Sequence, residues 1–228
     1  MNRRRWLVPV AMVVVALLAI GARAVVRSAY SSATAHPRDL TGQEWDYTVQ
    51  QDGSGRLLVS IHALVDDPVV REEYARRARE EALELATKDQ GDVPVQLTLA
   101  RPLAVDEAQA LATEVGLVAE HATWEARDAA GALATVGARA TDGLLDEQGL
   151  APGLEMRALR LIGVVMVQGR VPASGLASLA ADPRVYIVDT LHRGLAEALA
   201  ESYGVGIDDV EVSAPSPFWS LSAERLAE

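Results

Sequence analysis

Residues 99–117, LARPLAVDEAQALATEVGL, and 171–190, VPASGLASLAADPRVYIVDT, decide the fold. The first stretch follows Val93-Pro94-Val95-Gln96-Leu97-Thr98-Leu99, whose alternation of apolar and polar side chains is that of a strand. Ala108, Leu111, Ala112 and Val115 then recur at helical spacing over Asp106 to Val115, and Leu117 to Arg127 reads as extended again. The second stretch follows a near-continuous apolar strand from Leu159 to Val167. Pro172 opens a helix through Leu176, Leu179 and Ala180, Asp182-Pro183 turns the chain, and Val185 to Val188 is a short strand. Between the two, Asp128 to Leu154 is irregular and punctuated by glycine. Two β-α-β units separated by an insertion predict an α+β, ferredoxin-like domain over 92–190, with both helices on one face of an antiparallel four-stranded sheet. Leu161 to Val167 is apolar on both faces, so this strand is expected at the centre, covered on each side, by the N-terminal helix or the insertion.

Ahead of this domain, residues 28–44 lack any apolar period and read as a linker, and 45–91 as a hairpin and helix extension. Trp45, Tyr47 and Val49 alternate, Asp52-Gly53-Ser54-Gly55 supplies turn chemistry, and Leu57, Val59 and Ile61 resume the alternation, giving a β-hairpin over 45–65. Its glycines are not a phosphate loop, since no Lys-Ser/Thr follows and no helix begins there. Asp66-Asp67-Pro68 caps a helix carrying Val70, Tyr74, Ala78, Ala82 and Leu85 on one face, and Gly91 ends it. The charged stretch from Arg71 to Glu84 reads as a solvated face, with Glu72–Arg76 and Glu73–Arg77 as spaced ion pairs. Past the domain, 191–228 predicts a helix through Ala196, Leu199 and Tyr203 ending at Gly204, then a tail, Pro215 to Leu221, that staples the C-terminus to the core or contacts another protein.

Residues 1–27 carry a separate signal. Arg3, Arg4 and Arg5 precede an uncharged run from Trp6 to Ala22, with Arg23 and Arg27 beyond it. Three arginines ahead of an apolar run stay on the cytoplasmic side and direct the remainder of the chain outward. The run lies at the lower edge of the roughly 17 to 25 residues that span a membrane. A single transmembrane signal anchor over 1–27 is therefore expected, leaving a single-pass protein of the cell membrane with its C-terminal domain outside. Ala22-Arg23-Ala24 has the form of a signal-peptidase site, which leaves cleavage after Ala24 open.

Charge and cysteine content narrow the function classes. All 32 acidic residues lie beyond residue 27, against 16 basic ones, and this acidic excess opposes binding to nucleic acid or to an anionic lipid surface. The absence of cysteine removes disulfides, thiol catalysis, zinc-thiolate sites and iron–sulfur clusters. No catalytic, cofactor-binding or metal residue emerges. His36, His62, His121 and His192 share no ligand spacing. Gly204 and Gly206 lack the third glycine and the preceding strand of a dinucleotide site. Ser174 falls at a helix start, where capping accounts for it, and neither Asp66-Asp67 nor Asp208-Asp209-Val210-Glu211 has a calcium-loop frame.

The paired stretches 99–117 and 171–190, closing on a helix, an ADPRV turn and an edge strand, resemble the peptidase-inhibitor I9 domain, the propeptide of subtilisin-like proteases, over about residues 93–190. The resemblance implies a ferredoxin-like fold, a sheet face docked on a protease and a tail in its cleft. The sequence departs from that family in its insertion, its N-terminal extension, the helix from Leu191 and the lack of a catalytic domain after it. The leading expectation is a non-enzymatic, membrane-anchored extracytoplasmic module for an envelope protein. The alternative is an inhibitor or folding helper of an exported subtilisin-like protease, and a hydrolase with distant carboxylates is a third class.

Overall fold

The computed structural model describes residues 32–33, 46–88, 91–147, 150, 154–155 and 157–227. In chain order the elements are β1 (Ser32–Ala33), β2 (Asp46–Gln51), β3 (Leu57–His62), α1 (Pro68–Ala86), β4 (Asp92–Leu103), α2 (Val105–Val115), β5 (Val118–Arg127) and β6 (Leu133–Arg139). β7 (Arg160–Pro172), α3 (Ala173–Ala181), β8 (Val185–Asp189), α4 (Arg193–Tyr203), β9 (Val210–Ser213) and α5 (Phe218–Ala227) complete them. They form two compact units, 62–194 with 214–228, and the described part of 1–61 with 195–213.

The larger unit holds a five-stranded antiparallel sheet in the order β6-β5-β7-β4-β8. β4-α2-β5 and β7-α3-β8 are two β-α-β units whose strands interleave, and β6 lengthens one edge. Local chemistry sets the joints. Gly116 ends α2 in the left-handed region (φ 71), and the Asp182 carboxylate shapes the turn after α3 by accepting the Arg184 backbone N–H at 2.8 Å and its Nη2 at 2.7 Å. Those bonds from Arg184 hold the Asp182 carboxyl below the usual carboxylate range. At Gly169 a Cβ would stand 2.3 Å from the Val118 carbonyl, so only glycine lets β7 run this close to β5.

One face of this sheet carries the core. Val95, Leu97 and Leu99 of β4, Trp124 of β5, Val164 and Val167 of β7, Leu111 of α2, Leu176 and Leu179 of α3, and Ala82 and Leu85 of α1 belong to a single buried hydrophobic cluster. β7 is central, as its apolar run implies, but its second face meets the C-terminal segment, where Ser216 Oγ lies 3.3 Å from Met166 Sδ. The smaller unit holds a sheet in the order β1-β2-β3-β9, with β3 and β9 parallel from Leu57↔Val210 to Ser60↔Ser213. Asp52 organises its hairpin turn, accepting from the Ser54 and Arg56 backbone N–H groups at 2.8 and 3.0 Å.

The expected fold class is corrected in three respects. First, it included a preceding transmembrane helix, and no helix among the described residues is long and apolar enough to cross a membrane. The signal anchor assigned to 1–27 lies outside the described residues. Second, the hairpin is not a mere extension of the 92–190 domain. It belongs to a second sheet closed by β9, a four-residue strand far along the chain whose Val210-Glu211-Val212-Ser213 is too short to announce itself. Third, the stretch 128–154 is not wholly irregular. β6 pairs with β5 from Arg127↔Leu133 to His121↔Arg139 through a turn in which Asp128 Oδ1 accepts the Ala130 and Ala132 N–H groups at 2.9 and 2.8 Å. Its small residues, Ala134, Gly137 and Ala138, gave no apolar alternation to read.

Candidate functional site

Buried polar side chains of the larger unit gather in two places, and neither is a site named from the sequence. The first lies where β8 turns into α4. Tyr74 occupies the buried stripe of α1, and its hydroxyl donates a hydrogen bond to Asp189 Oδ2 at the end of β8. His192 Nε2 lies 2.9 Å from the same hydroxyl oxygen. A phenol has one hydrogen, and with that hydrogen committed to Asp189, His192 must donate from Nε2. The resulting order is His192 Nε2–H to Tyr74 Oη–H to Asp189 carboxylate. His192 Nδ1 is buried with no hydrogen-bond partner. Burial first, and the Asp189 charge second, push the Tyr74 hydroxyl well above its ordinary value.

Asp189 does a second job. Its Oδ1 accepts the Leu191 N–H at 2.7 Å, and Leu191 and His192 both adopt left-handed backbone, φ 54 and 47. Non-glycine residues hold that conformation at a cost of about 1–2 kcal/mol each. The network of Tyr74, Asp189 and His192 over-determines this turn and offsets the strain. Glu81, half-buried on α1, completes the cluster. Burial is the largest influence on its carboxyl and raises the pKa, His192 and the Thr190 hydroxyl oppose it, and the Asp189 charge adds to it. Tyr74, Asp189 and His192 are 1%, 3% and 6% exposed, so a substrate has no contact with the three groups that resemble a proton relay.

The second place is the face of the five-stranded sheet away from the hydrophobic cluster. Gln96 and Thr98 of β4 and Thr123 and Glu125 of β5 are buried there. Glu125 accepts from Ser222 Oγ at 2.6 Å, Arg127 Nη2 at 2.9 Å and Arg225 Nη2 at 3.2 Å, and Gln96 Nε2 donates to the Pro215 carbonyl at 3.2 Å. α5 thus closes on this face through polar groups. On α1, Arg71 is buried rather than solvated and bonds Glu224 of α5 at 2.6 Å, which corrects the reading of 71–84 as a wholly solvated face. Glu73, by contrast, is half-buried and pairs with Arg76 and Arg77 at 2.6 Å each. These two arginines hold its carboxyl at about 2.

An open groove of about 660 Å³ runs along the outer side of α1, lined by Pro68, Val69, Glu72, Ala75, Arg76 and Tyr186. Tyr186 donates to Glu72 at 2.6 Å. Beside the groove, Leu64 and Val69 are each 78% exposed and flank Asp66 along the chain. The Asp66 carboxylate accepts Ser220 Oγ at 2.5 Å, which brings the exposed Trp219 alongside.

The other residues weighed from the sequence are not gathered together. His36 lies outside the described residues, His62 is exposed at the end of β3, and His121 is half-buried on β5 beside Gly137. Ser174 is exposed inside α3, and the N-cap is Pro172 without a side-chain bond, so capping does not account for this serine. Asp67 caps α1 by accepting from the Val69 and Val70 N–H groups. Glu211 pairs with Arg56 at 3.3 Å in the smaller unit. Among the described residues no group of three or more His, Asp or Glu side chains has a metal-holding arrangement. Two general rules bear on these clusters once the burial is known: a tyrosine inside the apolar stripe of a helix needs a polar partner, and a buried glutamate in a strand needs a cation.

Comparison of the chain with protein-family models, with curated proteins and with solved structures finds no match in any of the three.

Proposed function

We propose that this chain is a non-enzymatic binding module that acts outside the cytoplasm and meets a partner polypeptide along α1. The single observation that carries the reading is the open groove in which the exposed Val69 lies with Ala75 and Tyr186, with exposed Leu64 just before it in the chain. Scattered exposed apolar residues are ordinary, whereas a contiguous set rimmed by charge marks a contact surface. The Glu72, Glu73 and Arg76 side chains supply that rim. The burial of Tyr74, Asp189 and His192 supports a non-catalytic reading, since a relay without access to substrate serves the fold. Location outside the cytoplasm rests on Arg3 to Arg5 and the uncharged run after them.

The test is a paired one. A reporter joined after Glu228 is expected to be active only outside the cytoplasm. A photo-crosslinker at Arg76 should capture one envelope polypeptide, and Leu64→Asp with Val69→Asp should abolish that capture while leaving the melting temperature unchanged. Equal capture by the double variant would overturn the assignment of this surface. The second reading, an inhibitor or helper of an exported subtilisin-like protease, uses the sheet face that α5 covers, so it requires the Ser222 and Arg225 contacts to Glu125 to open.

A further inference from the structure

We infer that the polar face of the five-stranded sheet is a binding site for an arginine-bearing polypeptide segment of another protein, and that α5 occupies it as an internal stand-in. The inference rests on the reading of the chain as a binding module and adds the partner's chemistry.

What lies beneath α5 is the first argument. The opposite face buries a large hydrophobic cluster, whereas here Gln96, Thr98, Thr123 and Glu125, 1% to 9% exposed, are buried beside Met166 and Ile187, the cross-strand neighbours of Thr98. A helix needed only to cover a sheet would be matched by valine and leucine, because each buried polar group demands a partner. The partners come from α5 and the turn before it, and they are groups that any peptide with an arginine and a hydroxyl residue carries. Pro215 offers a backbone carbonyl to Gln96, Ser222 offers a hydroxyl to Glu125, and Arg225 divides its guanidinium between Glu125 and the Ala100 carbonyl at 2.9 Å. Ala100 sits where the pairing of β4 with β7 is interrupted between Thr98 and Leu103, so its carbonyl is left pointing at the arginine. A buried carboxylate beside a strand carbonyl is a recognition geometry for guanidinium.

How α5 is held is the second argument. Among its described side chains, Phe218 is the one large apolar residue that is buried, while Trp219, Ala223 and Glu224 are exposed. By comparison, α3 buries Leu176 and Leu179 outright. The other side-chain ties of α5 are polar, Ser220 to Asp66 at the surface and Glu224 to the buried Arg71. With one fully buried apolar side chain, Phe218, and one half-buried, Leu221, α5 adds less to the hydrophobic core than α3 does, and its opening is separable from global unfolding. The 32 acidic residues of the chain favour a basic newcomer over a neutral one.

Amide hydrogen exchange on the full chain, with a synthetic peptide of residues 214–228 as probe, tests this. The α5 amides should exchange on the order of 100-fold faster than those of α3. Full-length Arg225→Gln should bind the free peptide, read from the peptide's Trp219 fluorescence, and adding Glu125→Gln should weaken that binding at least about tenfold. α5 protection equal to that of α3 overturns the inference, as does an Arg225→Gln chain that folds and ignores the peptide. Should Arg225→Gln fail to fold, wild-type exchange decides alone. A closed α5 together with partner capture that depends on Leu64 and Val69 would remove this inference and leave the general reading standing.

Discussion

The two faces of the five-stranded sheet are built on different principles. Toward α1, α2 and α3, β4 presents Val95, Leu97 and Leu99 to the large buried hydrophobic cluster. Toward α5, the same strand presents Gln96 and Thr98, and β5 adds Glu125 with three hydrogen-bonded partners. Strand alternation makes this possible, since neighbouring residues point to opposite faces. The apolar face draws its stability from area removed from water, about 25 cal/mol per Å², and tolerates exchange of one aliphatic side chain for another. The polar face gains little net energy from its bonds, yet it admits only an occupant whose donors and acceptors match. The first face fixes the fold, and the second selects what closes on it.

Substitutions on the apolar face should break the fold. Leu97→Asp places an unpaired charge at a position 0% exposed, and we expect no cooperative thermal transition. A variant that melts normally would show that this face is wetter than its packing implies. Leu176→Ala, also 0% exposed, should cost about 2–5 kcal/mol. Each kcal/mol lowers the melting temperature of a domain this size by roughly 2–4 °C, so calorimetry resolves the loss.

The apolar face was legible in the sequence because periodicity is a statement about it. The spacing of Ala108, Leu111 and Ala112 and the alternation of Val93 to Leu99 each report which side is buried. The polar face was not legible, because Gln96, Thr98 and Glu125 occupy the positions that alternation assigns to solvent, and only the return of α5 buries them. The same limit hid the Tyr74–Asp189–His192 cluster, where Tyr74 stands more than a hundred residues from its two partners and meets them through the docking of α1 on β8. It also hid β9, since parallel pairing with β3 leaves no trace in local spacing. Of the candidate site, the hydrophobicity of Leu64, Val69 and Trp219 could be read, but their joint exposure could not.

On the polar face the expected effects are smaller and more local. Glu125→Gln keeps the shape and one acceptor but removes the charge that Arg127 and Arg225 share, for a loss of about 1–3 kcal/mol. Glu125→Gln and Arg225→Gln combined should cost less than the sum of the two, which a double-mutant cycle measures. Strict additivity would mean that the pair is incidental and that α5 is held by Phe218 alone.

The smallest effect should come from Glu81, the half-buried acid of the β8–α4 turn, and it tests whether polar burial in this molecule carries a net cost. Burial raises the Glu81 carboxyl above its ordinary 4.5, with His192 opposing the shift. A raised folded-state pKa means that the folded protein binds this proton more tightly than the unfolded chain does. The associated stability is therefore complete below pH 4.5 and is lost as pH rises through the raised value. Glu81→Gln imitates the protonated form at every pH. It should melt higher than the wild type near pH 7, and the advantage should shrink steadily toward pH 4.5 in a series of thermal melts. An advantage that stayed constant with pH would assign the gain to side-chain packing. A variant that melts lower than the wild type at about pH 7 would show that the Glu81 charge, set against His192, stabilises the turn, and that this cluster follows the matched-partner principle of the sheet's polar face.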